Sequence, residues 1–285
     1  MKINKKYLEY FMLLSLKIIT YSIVIVIAYI IVDILIKGLP VMSLGFITEE
    51  PRNGGAEGGI FPAIIGTLYL VLGTIIIALP LGMFSAIYLT EYARQNNLAK
   101  TIRLAIVTLA GVPSIVFGLF GLGLFVIFLN FGASILAGSI TLACMILPTI
   151  IVSSEEALKS IPQFMREGSL ALGATKWQTI YKNILPYALP GMLTGSILGI
   201  GRAAGETAPI LLTAAAFFLP SLPSSIYDMV MALPYHLYIL ATQHPDAQKI
   251  LPMQYGTALV LIILVVGLNL SAIIIRIRVR KKYKW

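Results

Sequence analysis

The chain has 285 residues, 58% of them hydrophobic and only 12% charged, with a mean hydropathy of +0.92. Soluble domains are about 45–50% apolar and about 25% charged, and folding this composition in water would leave more apolar surface than one core can hide. A cytosolic enzyme and a disordered tail are excluded, as is a disulfide scaffold, because Cys144 is the single cysteine. The class is an all-α polytopic membrane protein.

Apolar stretches follow one another at roughly 16–36, 62–89, 104–129, 135–152, 187–219 and 257–275, lengths that suit a hydrocarbon layer about 30 Å thick. The first follows Lys2, Lys5 and Lys6 as a signal peptide would. Its apolar core is too long for one and no small-x-small cleavage site follows, so it reads as a retained span. Six spans place both termini on one side. That side carries Lys2, Lys5, Lys6 and Lys17 at the start, then Arg94, Lys100 and Arg103. It also carries Lys159, Arg166, Lys176 and Lys182, and finally Arg276, Arg278, Arg280, Lys281, Lys282 and Lys284. The other side has only Lys37, Arg52 and Lys249, so the positive-inside rule makes both termini cytoplasmic. The net charge of +9 is therefore inner-surface anchoring at the lipid headgroups, and no nucleic-acid partner is expected. By this reading residues 1–61 are a first span and outer loop, 62–275 the main transmembrane domain with an inner loop at 153–186, and 276–285 a basic cytoplasmic tail.

The outer segments say less. The stretch 224–243 is apolar but holds Asp228, Pro234 and His236. A seventh span there would export the basic tail, so an interfacial or re-entrant helix is predicted. The glycine-rich run at 54–59 predicts a flexible loop. His236 and His244 have no Cys or carboxylate cluster beside them, so no metal site is expected. No Ser/His/Asp set can be placed on one face, so no catalytic centre is expected either.

The most polar inner stretch, 155–186, reads EEALKSIPQFMREGSLALGATKWQTIYKNILP. Pro162 marks a helix start, Gly173 a stop, and Thr175 a cap for a second short helix to Ile184. Phe164, Leu170, Leu172, Trp177 and Ile180 mix there with Arg166, Glu167, Lys176 and Lys182. Two readings fit this helix–Gly–helix elbow: insertion into a partner protein, or rest on the headgroups.

In the fifth span, Gly191, Gly195 and Gly199 recur every four residues, as do Gly201 and Gly205. That spacing lets helices approach closely in lipid. Arg202 and Glu206 share a helical face in the same span, about 22 Å along it for Arg202 if the helix starts near Tyr187. Charges at that depth cost about 2.5–3.5 kcal/mol each on insertion scales, so they face a partner or a water-filled path. Either they form an ion pair locking two helices, or Arg202 faces the translocation path, where its planar fork suits an oxyanion. Pro209 allows a kink or a break nearby.

The inner elbow resembles the EAA loop of ABC-transporter permeases: Glu-Ala-Ala, three residues, Gly, nine residues, then Ile-x-Leu-Pro. Here Glu167, Gly168 and Ser169 stand at the first three positions, Gly173 (followed by Ala174) at the glycine, Asn183 at the isoleucine, and Leu185 and Pro186 at the end. The segment GRAAGETAPILLTAAAFF is similar to the fifth-span signature of phosphate-transport permeases. The runs GGIFPAIIGTLYLVLGTIIIALPLGMFSAIYLTEYA and GVPSIVFGLFGLGLF look like the same family. Its two homologous kinds form a heterodimer, and Gly-Glu-Thr-Ala-Pro with Gly-Gly-Ile-Phe-Pro-Ala favours the PstA kind over PstC. The resemblance implies a type I ABC importer permease in the cytoplasmic (inner) membrane, moving inorganic phosphate delivered by a phosphate-binding protein. It implies a PstC-kind permease partner and an ATPase dimer that binds ATP and Mg. It places Arg202, Glu206 and Thr207 on the substrate path, and Glu167, Gly168, Ser169, Gly173, Ala174, Leu185 and Pro186 in ATPase coupling. This chain has no GxxxxGK[ST] loop and needs no cofactor of its own. The elbow leaves a sulfate or molybdate permease open, and the charged pair an ion-gradient-driven transporter.

Overall fold

A computed structural model describes residues 5–55, 57–94, 96–245, 248 and 250–282. Lys2, Ala56, Lys249 and Lys284, used in the reading above, lie outside them. Helix α1, Lys5–Gly38, is apolar all round and exposed along nearly its whole length. Its main packing partner is the last helix, and such a helix is stable only in lipid or against another chain.

On the outer side, Ser43 caps helix α2, Leu44–Thr48, its Oγ accepting from the Phe46 N–H at 3.1 Å. The run at 54–59 is not the flexible loop its glycines suggest. Strand β1, Pro51–Arg52, pairs antiparallel with β2, Glu57–Gly58. The left-handed residues Asn53, Gly54 and Gly55 turn the chain between them.

Helix α3, Phe61–Ile87, starts at Pro62, where the missing N–H costs nothing, and ends in a π-turn at 88–92. The third apolar stretch is not one straight span. Helix α4, Asn97–Leu109, and helix α5, Ser114–Gly121, are bent by 105° at Gly111–Pro113, and α5 continues as a π-segment to Phe128. Helical backbone is disfavoured for the residue before a proline, and hydropathy does not register that. Helix α6, Ile135–Lys159, is the most buried span and lies between α3 and helix α9, Leu185–Gly205. Helix α12, Leu251–Lys282, packs on α9 and carries the basic tail as helix to its described end. Among the described residues five helices are long and apolar enough to cross a membrane, or six spans if the bent pair counts as one.

The fifth span also differs from the sequence reading. Helix ends at Gly205, not near 219; the chain is extended at Glu206 and resumes as helix α10, Ala208–Thr213. The break expected near Pro209 is thus present, and Pro209 sits in the first turn of the new helix, where its missing N–H costs nothing. Beyond α10 the chain folds back over the bundle. Ser134 N–H donates to Thr213 O, Ile135 N–H to Asp228 O and Leu136 N–H to Ile226 O, all at 2.9 Å, so this loop satisfies the free amides at the start of α6. The Asp228 carboxylate accepts from Ser224 N–H, Ser225 N–H and Ser224 Oγ, which holds its carboxyl below the usual carboxylate range. Only 233–242 of the predicted outer helix is helical, as α11, Leu233–Thr242.

His236 of α11 is 2% exposed, and neither ring nitrogen finds a partner among the described residues. Burial pulls its pKa down from 6.5 to about 4. The folded state thus holds it neutral. Its contribution is full above pH 6.5 and is lost as pH falls toward 4, because the unfolded chain takes the proton first. Thermal unfolding of the purified protein should show stability falling across that window, by about 3 kcal/mol at its acid end. His236→Leu should flatten the dependence.

Candidate functional site

The cytoplasmic elbow is built from helix α7, Gln163–Ala171, and a turn that leads into the fifth span. Gly173, at φ +85°, ends α7 in left-handed backbone that a side chain would strain. Thr175 then makes a capping box: its Oγ1 accepts from Gln178 N–H, and Gln178 Oε1 accepts from Thr175 N–H. The second short helix is not separate. Helix α8, Lys176–Gln178, runs through a π-segment at 179–184 into α9, one continuous helix of 30 residues. Motion of the elbow is thereby joined to the fifth span. Leu185 and Pro186 sit half-buried at the start of α9, and Ala174 is half-buried where its N–H donates to Ser169 O.

The two faces of α7 differ. Glu167 and Gly168 point outward with Phe164, which is 68% exposed, and Leu172 beyond them is 90% exposed. Ser169 points inward and is buried. Its Oγ lies 2.9 Å from Thr179 Oγ1 and accepts from Asn183 Nδ2 at 2.8 Å. Serine in place of alanine and asparagine in place of isoleucine are therefore one feature, a polar contact where the EAA pattern has an apolar one. Ser169→Ala should cost about 1–2 kcal/mol in thermal unfolding, by leaving the Asn183 amide and Thr179 hydroxyl short of a partner. Adding Asn183→Ile should recover most of it.

Two ion pairs join the inner helix ends across 52 and 75 residues of sequence, with no local pattern to signal them. Arg103 Nε donates to Glu155 Oε1 at 3.2 Å, and its Nη2 donates to Leu89 O. Arg166 donates to Glu91 Oε1 from Nε at 3.1 Å and from Nη2 at 2.8 Å.

The second candidate region lies about 26 Å along α9. One face of α9 packs on α6 through Gly191, Gly195 and Gly199. Thr194, Leu198, Arg202 and Gly205 follow one another along an exposed strip of α9, at whose inner end Thr194 Oγ1 accepts from Arg276 Nη1 of α12 at 3.2 Å. Arg202 Nε donates to Glu206 Oε1 at 3.2 Å, with the arginine side chain 41% exposed and the glutamate 16%. Both residues belong to one turn, so the pair does not lock two helices. Arg202 sits in the last turn of α9, where a cation meets the helix C-terminus favourably. Its two Nη groups carry no hydrogen bond among the described residues. Thr207 is half-buried just past the break, ahead of α10. Among the described residues no group of three or more His, Cys, Asp or Glu could hold a metal ion.

These features define a multi-pass membrane protein with a compact polar elbow between its fourth and fifth spans and an exposed arginine within the fifth. The family described as binding-protein-dependent transport system inner membrane component matches residues 78–285. A probable phosphate transport system permease protein PstA of Methanocaldococcus jannaschii is 36% identical, over 83% of this chain and 82% of that protein. The probable ABC transporter permease protein YqgI of Bacillus subtilis is 34% identical, over 76% and 78%. Among solved structures, a bacterial alginate ABC importer chain superposes with TM-score 0.68 at 15% identity, covering 96% of each chain. A chain of the MetNI methionine transporter gives TM-score 0.58 at 20% identity, covering 78% of this chain and 94% of its own. The chain belongs to the binding-protein-dependent transport permeases, the membrane subunits of ABC importers, which work with a separate ATPase and a substrate-binding protein.

Proposed function

We propose that this chain is the PstA-kind permease of an importer of inorganic phosphate in the cytoplasmic membrane. It pairs with a PstC-kind permease, receives phosphate from a binding protein, and is driven by an ATPase dimer that holds ATP and Mg. The observation that carries the reading is Arg202: an exposed guanidinium in the fifth span, closed on its own Glu206, with two Nη groups that carry no hydrogen bond among the described residues. A planar fork of that kind bonds two oxygens of a tetrahedral oxyanion at once. Glu206 keeps the cation oriented when no anion is present, and yields when one arrives. Thr207, at the helix break, adds a hydroxyl donor beside them. The phosphate permeases among the relatives support the choice of anion.

In the inner half, the outward face of α7, with Glu167 and Gly168, meets the ATPase. Ser169, Gly173, Ala174, Leu185 and Pro186 hold that face at a fixed angle to α9. Closing of the ATPase dimer then moves the elbow, and the continuous 176–205 helix carries the displacement toward Arg202. Stimulated hydrolysis tests the substrate. In the reconstituted complex, binding protein loaded with phosphate should raise ATP turnover, while binding protein offered sulfate or molybdate should not. Stimulation by sulfate or molybdate instead would keep the architecture and overturn the substrate.

A further inference from the structure

Arg166 stands beside the outward docking face of α7 but faces the other way, and its side chain is only 15% exposed. Its guanidinium makes four hydrogen bonds: Nε and Nη2 to Glu91 Oε1, Nη1 to Ile161 O at 2.7 Å, and Nη2 to Leu158 O at 2.8 Å. One side chain thus ties the elbow to the last turn of α6, to the connection between α6 and α7, and to the inner end of α3. Glu91 is 9% exposed and lies in the π-turn that ends α3. Such turns carry an extra residue per turn and mark places where a helix changes register. The same π-turn is held from its other side by Arg103, through the Leu89 carbonyl. Ser169, by contrast, ties the elbow only to the 176–205 helix.

The elbow therefore meets α3 as well as the 176–205 helix: Ile161 and Met165 share an apolar cluster with Ala86, Ile87 and Leu89, the Lys176 ammonium lies over the Tyr92 ring, and Arg166 binds Glu91. We infer that the polar link carries the displacement: Arg166 is a positioning residue that passes elbow movement through Glu91 to α3. This rests on the reading of the chain as an ABC importer permease. Of the two spans the elbow reaches, α3 packs most extensively on the central helix α6. A pull at Glu91 shifts the α3–α6 pair while the 176–205 helix shifts α9, so both sides of the bundle respond to one ATPase stroke. Without the polar link α3 follows the elbow less closely, and hydrolysis proceeds with less transport.

The test uses the assembled transporter in proteoliposomes with its ATPase and binding protein, measuring phosphate taken up per ATP hydrolysed. Glu91→Gln keeps an acceptor for Arg166 and removes the charge; Arg166→Ala removes the link. Arg166→Lys restores one bond to Glu91 but cannot also reach both carbonyls. Expected is a fall in uptake per ATP of about tenfold for Arg166→Ala. Glu91→Gln and Arg166→Lys should fall between it and the wild type. The ATPase should copurify at the wild-type level with all three variants. An unchanged ratio in Arg166→Ala overturns the inference. So does loss of the assembled complex even in Glu91→Gln, which would make the contact a fold element only. If the wild-type complex itself shows no ATP-dependent uptake, the permease reading falls first, and that result is distinct from either.

Discussion

Arg202→Ala is expected to cut ATP-dependent uptake at least about tenfold while leaving the amount of assembled complex unchanged. A hydrogen bond from a charged group is worth about 1.5–3 kcal/mol, and a fork making two such bonds to an oxyanion loses tenfold or more when removed. The fold has little to lose. Among the described residues Arg202 bonds Glu206 alone, in its own turn, on the face of α9 that does not pack on α6. Arg202→Lys keeps the charge but not the fork, and should fall between. Glu206→Gln keeps an acceptor and should impair uptake less than Arg202→Ala. Complex yield falling in parallel with uptake would instead assign Arg202 to assembly.

Gly195→Ala should do the reverse, damaging the fold before the chemistry. A Cβ on Gly195 would overlap the Ser153 side chain of α6, and Ser153 cannot readily swing aside. Its Oγ is bonded to Thr149 O at 2.8 Å and to Ile150 O at 3.1 Å. Overpacking of this kind costs about 1–3 kcal/mol. Thermal unfolding of the purified protein should register that loss for Gly195→Ala and fail to recover a folded Gly195→Leu chain. Two controls separate the contact from a general intolerance of side chains. At Gly199 a Cβ would meet Ile146 at 3.5 Å, ordinary contact, so Gly199→Ala should be mild. Moving the small residue across the interface, with Ser153→Gly and Gly195→Ala together, should restore much of the loss. A Gly195→Ala protein as stable as the wild type would show that the two helices do not approach as closely as described.

The contrast between these residues shows what the sequence can carry. Spacing of four among Gly191, Gly195 and Gly199 signals a close helix contact, and α6 fills it. The elbow's punctuation is legible in the sequence too: Gly173 is left-handed and Thr175 forms its capping box. These are local signals, readable over a few residues. Breaks inside apolar runs were harder. Gly111 and Pro113 turn the third stretch through 105°, and Glu206 ends helical backbone in the fifth, while hydropathy stays high across both. Long-range polar contacts left no trace at all. Nothing near Glu91 announces Arg166, and nothing near Ser169 announces that Asn183 will donate to it. Periodicity reports which face is apolar, but it cannot pair two polar residues from different helices.

The measurement that bears most directly on the whole account is uptake of radiolabelled phosphate into proteoliposomes holding the complete transporter and its binding protein, with and without internal ATP, against excess sulfate or molybdate. The account predicts uptake that needs ATP and resists both competitors. Equal uptake without ATP would contradict it.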